Sequence, residues 1–288
     1  MNVSVVIATK DRAELLGAAL ASLRAQADAP PFEIVVVDNG SSDRTPAIAR
    51  EHGAAYLFVA EPNRGKARNA GVAHATGELI VFVDDDVITP PHFVAAHARA
   101  HAAEGVPLAV SGPIINVPAS EDRPAPTAAN ASRAFFVTCN VSLPRAPFEA
   151  AGGFDEAFDR YGWEDTELGV RLRARGVRRR FAWDAYLWHI KPPTPEALED
   201  ALGKAIEKAR MAAQFVRKIP TTRVKLATGA YGFNLARARL LAPPLLQPLY
   251  AGLATSTRLP SVVSSIARGL LLDSVYTEEL DRQLSRGD

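Results

Sequence analysis

Asp84, Asp85 and Asp86 follow the apolar run Leu79-Ile80-Val81-Phe82-Val83, and no lysine or arginine stands beside them in the chain. Adjacent carboxylates repel, so such a cluster is costly unless water, a metal ion or a cationic ligand compensates it. The apolar run reads as a buried strand, and the end of a strand in an α/β sheet is where ligands gather. Hard carboxylate oxygens suit Mg²⁺ or Mn²⁺, ions that also hold phosphates. A solvated acidic turn is the bland alternative.

Other segments carry weaker signals of the same kind. Ser4 to Arg12 is a strand running into a polar turn, which offers backbone donors to an anion or a base edge. Val35 to Asp43 repeats the pattern with Asp38 at its strand end, suited to a nucleobase or ribose, or simply to capping a turn. Arg64, Lys66 and Arg68 lie near a glycine and a helix start, which suits a diphosphate or a nucleotide, or by itself a solvated helix face, and the first glycine of a Walker A loop is missing. Glu164 and Asp165 follow Trp163. They suit either a helix N-terminus or a general base in an aromatic-walled pocket. His189 ends another apolar run, and a carboxylate-held metal can recruit one imidazole. The run Arg171 to Arg180 reads as an exposed helix end and strand edge.

These residues need a scaffold, and the chain alternates strand and helix patterns. Strands are expected at Val3 to Ala8, Ile34 to Val37, Ala55 to Val59 and Leu79 to Val83. Helices are expected at Asp11 to Ala25, Thr45 to His52 and Lys66 to Ala75. Alternation of short continuous apolar runs with helices predicts an α/β fold, a mostly parallel sheet covered on both faces. Five prolines make residues 105–132 loop and short strand. Beyond them, Phe135 to Ser142 reads as strand, Glu164 to Ala174 as helix and Val177 to Ala182 as strand.

The 288 residues are 48% hydrophobic and 23% charged, with a net charge of +1, so no global charge favours nucleic acid. A single cysteine, Cys139, excludes an internal disulfide and fits a reducing compartment. Lys10 and Arg12 follow the first apolar run instead of preceding it, so no signal peptide is expected and the protein is expected in the cytoplasm.

Six segments in this order resemble the family 2 glycosyltransferases with the GT-A fold: Ser4 to Arg12, Val35 to Asp43, Asn63 to Gly71, Leu79 to Val87, Gly152 to Glu156, and Gly162 to Gly176. The resemblance implies an inverting transfer from a UDP-, GDP- or dTDP-linked sugar to a sugar or lipid-linked acceptor. It implies that Thr9, Asp11, Arg12, Asp38, Lys66 and Arg68 lie around the nucleotide. Asp84 would face ribose or metal, Asp86 would hold Mn²⁺ or Mg²⁺, and Asp85 is placed with the nucleotide without a defined role. Asn140, Gly153, Phe154, Asp155 and Trp163 match the acceptor side. Asp165 matches the catalytic base with Glu164 beside it, and His189 matches a position at metal or diphosphate. A nucleotidyltransferase and a catalytically silent nucleotide-sugar-binding scaffold are the competing classes.

Residues 1–195 are therefore expected to form the catalytic domain and 196–288 a C-terminal helical region. Ala197 to Lys218 reads as a long helix. Leu240 to Leu272 is apolar, and its uncharged part is long enough to span a bilayer but is broken by Pro243, Pro244 and Pro248. Such a segment needs cover from the catalytic domain, from a second copy in a homodimer, or from the cytoplasmic face of a membrane.

Overall fold

The computed structural model describes residues 1–102, 105–191, 196–241, 243–256 and 258–286. Strands β1 (Val3–Thr9), β2 (Phe32–Asp38), β3 (Ala55–Phe58) and β4 (Leu79–Val83) form where the β-branched runs lie. β1 pairs in parallel with both β2 and β4, and β2 with β3. Alternate side chains enter opposite cores: Val6, Val35, Val37, Ile80 and Phe82 on one face, Val5, Ile7, Ile34, Val36 and Val81 on the other. That double burial is why these strands are continuous apolar runs.

Helix α1 (Ala13–Arg24) covers the second face with Leu16, Leu20 and Leu23, and α2 (Thr45–Glu51) adds Ala49. Helix α3 (Arg64–His74) covers the first face with Ala67 and Val72, and Asn63 caps its start by accepting from the Lys66 amide at 2.9 Å. It lies so close to the sheet that a Cβ on Gly71 would come within 2.5 Å of Val6.

Downstream come β5 (Val87–Ile88), α4 (Phe93–His101), β6 (Leu108–Ser111), β7 (Ile114–Val117), β8 (Asn140–Pro144), α5 (Arg145–Ala150), α6 (Glu164–Ala174), β9 (Arg178–Phe181) and β10 (Leu187–Ile190). The large sheet has the order β3-β2-β1-β4-β8-β6-β9, with β8 antiparallel to both neighbours. A small sheet, β5-β10-β7, stands beside it. The mostly parallel sheet with helices on both faces agrees with the expected α/β class. The expected strand over Phe135 to Ser142 is displaced to Asn140–Pro144, because its pairing with β4 sets its ends. Helices α4 and α5 were not foreseen.

By contacts the chain divides into two units: Met1–Asp159 with Glu164–Pro193, and Arg160–Trp163 with Thr194–Asp288. The boundary expected at residue 195 lies outside the described residues. Trp163 belongs to the second unit: its indole Nε1 donates to the Lys208 carbonyl at 3.0 Å, and its ring meets Phe215. This unit holds α7 (Leu198–Lys218), α8 (Thr222–Thr228), α9 (Gly232–Leu241), α10 (Gln247–Thr255) and α11 (Ser261–Ser285). α7, α9 and α10 pack on α11. Among the described residues no helix is long and apolar enough to cross a membrane.

Candidate active site

β1 has β2 on one side and β4 on the other, so the C-terminal ends of these three strands open a crevice where the connections diverge. Thr9, Asp38 and Asp84 all stand at that edge. Pairing brings two further segments there. Val83 is opposite Asn140, which sets Asp84 facing Cys139. His189 is opposite Val87, and the Ile190 amide donates to the Asp86 carbonyl at 2.8 Å.

The acidic triplet is not without cations once folded. Arg12 reaches from the turn after β1, with Nη1 at 3.0 Å from Asp85 and 3.1 Å from Asp86. Asp85 is buried, and burial pushes its carboxyl up against the opposing charge of Arg12. Burial also pushes Asp86 up, but the hydrogen bond and charge of His189, with Arg12, outweigh it and hold Asp86 below the usual range. His189 Nε2 is 3.0 Å from Asp86 Oδ1, while its Nδ1 meets Asn116 Oδ1 at 3.2 Å. Despite that proximity, Asp86 Oδ1 is buried without a well-aligned hydrogen bond.

Arg68 joins the triplet to the second acid pair. Its guanidinium lies 3.4 Å from Asp84, 3.5 Å from Glu164 and 4.0 Å from Asp165. It is 8% exposed, and the three carboxylates outweigh the burial that opposes its charge. Asp165 Oδ2 accepts from the Thr138 amide at 2.9 Å and the Thr138 hydroxyl at 3.0 Å. Its Oδ1 is buried without a hydrogen-bond partner. Burial, with the charges of Glu164 and Asp84, raises the Asp165 carboxyl to about 6 against the pull of Arg68 and Thr138.

The remaining expected site residues are placed differently from one another. Asp11 and Asp38 order the turns that follow β1 and β2: Asp11 accepts from the Ser42 amide at 2.8 Å, and Asp38 from the Ser41 amide and the Tyr56 hydroxyl, each at 2.7 Å. Thr9 and Asp38 are buried, whereas Lys66 is exposed and paired with Glu61 at 2.9 Å. Asn140 is fully buried, its amide spent on His97 at 3.0 Å and on the carbonyls of Ala185 and Pro113. Phe154 lies in a cluster of phenylalanines with Phe82, Phe136 and Phe148. Gly153 has φ +64°, and a Cβ there would come within 2.6 Å of Asn69 Oδ1. Asp155 Oδ1 accepts from the Ala157 amide at 3.0 Å. Asn140, Gly153 and Phe154 thus shape the walls from behind.

Sequence reasoning missed Thr138, Asn116 and the placement of Cys139. The Cys139 thiol is buried, and burial with the charges of Asp84 and Asp86 holds it well above its ordinary range. Asp84, Cys139 and His189 offer ligand atoms within 4.8 Å of one another. The adjacency of Cys139 to Asn140 was the available signal, but only the register of β8 on β4 gives it meaning.

The strand order, the divergent crevice and the acids lining it define an α/β transferase fold of the GT-A type. The chain belongs to glycosyl transferase family 2, whose model matches residues 4–161. Validoxylamine A glucosyltransferase of Streptomyces hygroscopicus subsp. limoneus is 30% identical over 262 residues, covering 76% of this chain and 57% of that protein. The chain thus spans little more than half the length of that relative. In fold it is similar to the mannosyltransferase PcManGT from Pyrobaculum calidifontis in complex with GDP-Man and Mn²⁺ (TM-score 0.60, 22% identity, 99% of this chain and 87% of that one). It is also similar to S. aureus TarS 1-349 in complex with UDP (TM-score 0.54, 20% identity, 100% and 92%).

Proposed function

We propose that this chain transfers a sugar, with inversion, from a nucleoside-diphosphate sugar to an acceptor hydroxyl, with Asp165 as the base. One observation carries the reading. Asp165 has one oxygen fixed by Thr138 and the other buried and unpartnered, on a carboxyl whose pKa is raised toward neutrality. A fixed carboxylate with a free lone pair near neutral pKa is what proton abstraction needs. Arg68 keeps that carboxyl ionised at neutral pH despite its burial. Once Asp165 takes the proton, the acceptor oxygen displaces the nucleotide in one step, so the anomeric configuration inverts and no carboxylate nucleophile is required.

The donor set at the triplet fits a divalent cation. Asp84, Asp86 and His189 would hold it, with Cys139 alongside: ligand atoms of Asp84, Cys139 and His189 lie within 4.8 Å of one another, and His189 Nε2 lies 3.0 Å from Asp86 Oδ1. A bound Mn²⁺ or Mg²⁺ supplies charge that offsets the growing charge of a diphosphate leaving group. Asp11 and Asp38 order the turns against which the nucleoside rests, and Lys66, in the first turn of α3 and paired with Glu61, is the cation assigned to the diphosphate. Residues 1–195 carry this chemistry. The names of the similar structures, which include GDP-Man, UDP and UDP-GlcNAc, support a nucleotide-sugar donor.

The test is a panel of UDP-, GDP- and dTDP-sugars, with and without Mn²⁺, read as nucleoside diphosphate release and as thermal shift. One donor should give metal-dependent release. Silence across the panel, with no metal-dependent shift, would overturn the reading.

A further inference from the structure

Between Glu207 and Asp273 the chain runs for 65 residues without an aspartate or glutamate, yet holds ten lysines and arginines. The same stretch buries Phe215, Val224 and Leu271 but leaves many other apolar side chains uncovered. Of the twelve exposed large hydrophobic side chains among the described residues, eight fall between Leu226 and Ile266. On α9, Phe233 and Leu240 are 78% and 79% exposed and lie seven residues apart on one helix face. Leu245, in the turn before α10, is 88% exposed, and Leu249 follows on α10 at 54%. Val262 and Ile266 repeat at four-residue spacing on the first turns of α11, 66% and 59% exposed. α9 and α10 both pack on α11, so these side chains crowd one helical layer.

Six of these cations fall into two groups of three. Arg210, Arg237 and Arg239 are paired with the acids of α11: Arg210 with Glu279 at 2.7 Å, Arg237 with Asp273 at 2.9 Å, and Arg239 with Asp281. Arg223, Lys225 and Arg258 are exposed and have no ion pair among the described residues.

We propose that this helical layer docks on an anionic phospholipid surface, its exposed leucines, valines, isoleucine and phenylalanine entering the acyl boundary while Arg223, Lys225 and Arg258 meet the headgroups. Exposed apolar area of this extent marks a docking surface. Exposed apolar side chains and unpaired cations within one helical unit match an interface that is oily below and negative above. A second copy is disfavoured by charge. A two-fold dimer sets the same patch against itself, and the stretch that carries it offers its cations no carboxylate of its own, the exposed Glu278 of α11 being bonded to Gln247. The proposal stands apart from the transferase chemistry.

The test is co-sedimentation of the full chain with vesicles of phosphatidylcholine alone or mixed with phosphatidylglycerol, at low and high salt, without nucleotide. Binding should appear with the anionic vesicles, weaken at high salt and be slight with phosphatidylcholine. Replacing Arg223, Lys225 and Arg258 together by glutamine should weaken it on the order of 10²-fold, about fivefold per cation. Phe233→Ser with Leu245→Ser should abolish it. If that pair lowers the melting temperature, the glutamine triple variant, which alters no packed side chain, carries the test. Protein left in the supernatant with both vesicles overturns the proposal, and so does equal binding to both. A lipid-free dimer by light scattering that Phe233→Ser dissociates also overturns it and names a second copy as the occupant.

Discussion

The sheet edge and the C-terminal helices handle charge in opposite ways. At the edge, Asp84, Asp85, Asp86, Glu164 and Asp165 crowd around Arg12, Arg68 and His189, most of them substantially shielded from water. Buried like charges are costly, and the arrangement persists because every acid has a cation within reach. In the helices, acids are absent over most of the length, and Asp273, Glu279 and Asp281 of α11 are paired with arginines of the same helical unit. There the packing tolerates exposed apolar side chains instead of crowded charge. One region stores electrostatic tension over a tightly filled core, and the other stores uncovered surface. Their responses to substitution should differ accordingly.

The largest effect is expected in the core beneath the edge. Phe154→Ala empties a fully enclosed phenylalanine cluster and should cost ~3–5 kcal/mol in urea unfolding. A loss below about 1 kcal/mol would mean that the edge does not rest on this core. Next comes the chemistry. Asp165→Asn keeps the shape and removes the proton acceptor, so turnover should fall by roughly 10² or more with donor affinity unchanged by calorimetry. Near-normal turnover would move the base to Glu164.

Asp86→Ala should weaken metal-dependent nucleotide binding by about 10- to 100-fold while the melting curve changes little. Unchanged affinity with Mn²⁺ present would remove Asp86 from the metal set. The acid limb of the rate profile is a finer probe. The base must be ionised, so turnover should fall as pH drops through about 6, where the buried Asp165 carboxyl protonates. An unperturbed aspartate would protonate near about 3.9. Thr138→Val deletes a hydroxyl that favours the ionised form, so the limb should move to higher pH with less than about a tenfold loss of turnover. A limb that stays in place would show that another group titrates. The smallest effect belongs to the helices: Phe233→Ala should change stability by no more than ~0.5 kcal/mol in the absence of vesicles. A larger loss would show that this side chain is packed and not poised at a surface.

The strands β1, β2 and β4 were legible because a doubly covered strand is a continuous apolar run, β3 because its half-covered edge run is still apolar, and α1 to α3 because they separate those runs at regular intervals. Helices α4 and α5 were not, since Pro90, Pro91 and Pro147 punctuate their sequences as loops. The segment 105–132, expected as loop and short strand, does hold β6 and β7. The acid triplet stood out at once. Its partners did not: Arg68 seemed a nucleotide cation and is the counter-ion between Asp84 and the Glu164–Asp165 pair. Asn140 seemed an acceptor contact and is fully buried on His97.

Sequence by itself determined the α/β class, the strand edge that carries the acids, and the family, because these depend on patterns local to each segment and on their order. Tertiary structure alone decided which charges meet. Thr138 finds Asp165 across 27 residues, Arg12 finds Asp85 across 73, and Cys139 faces Asp84 through the register of β8. Pairings over such distances follow from how strands align and helices pack, and no local spacing encodes them.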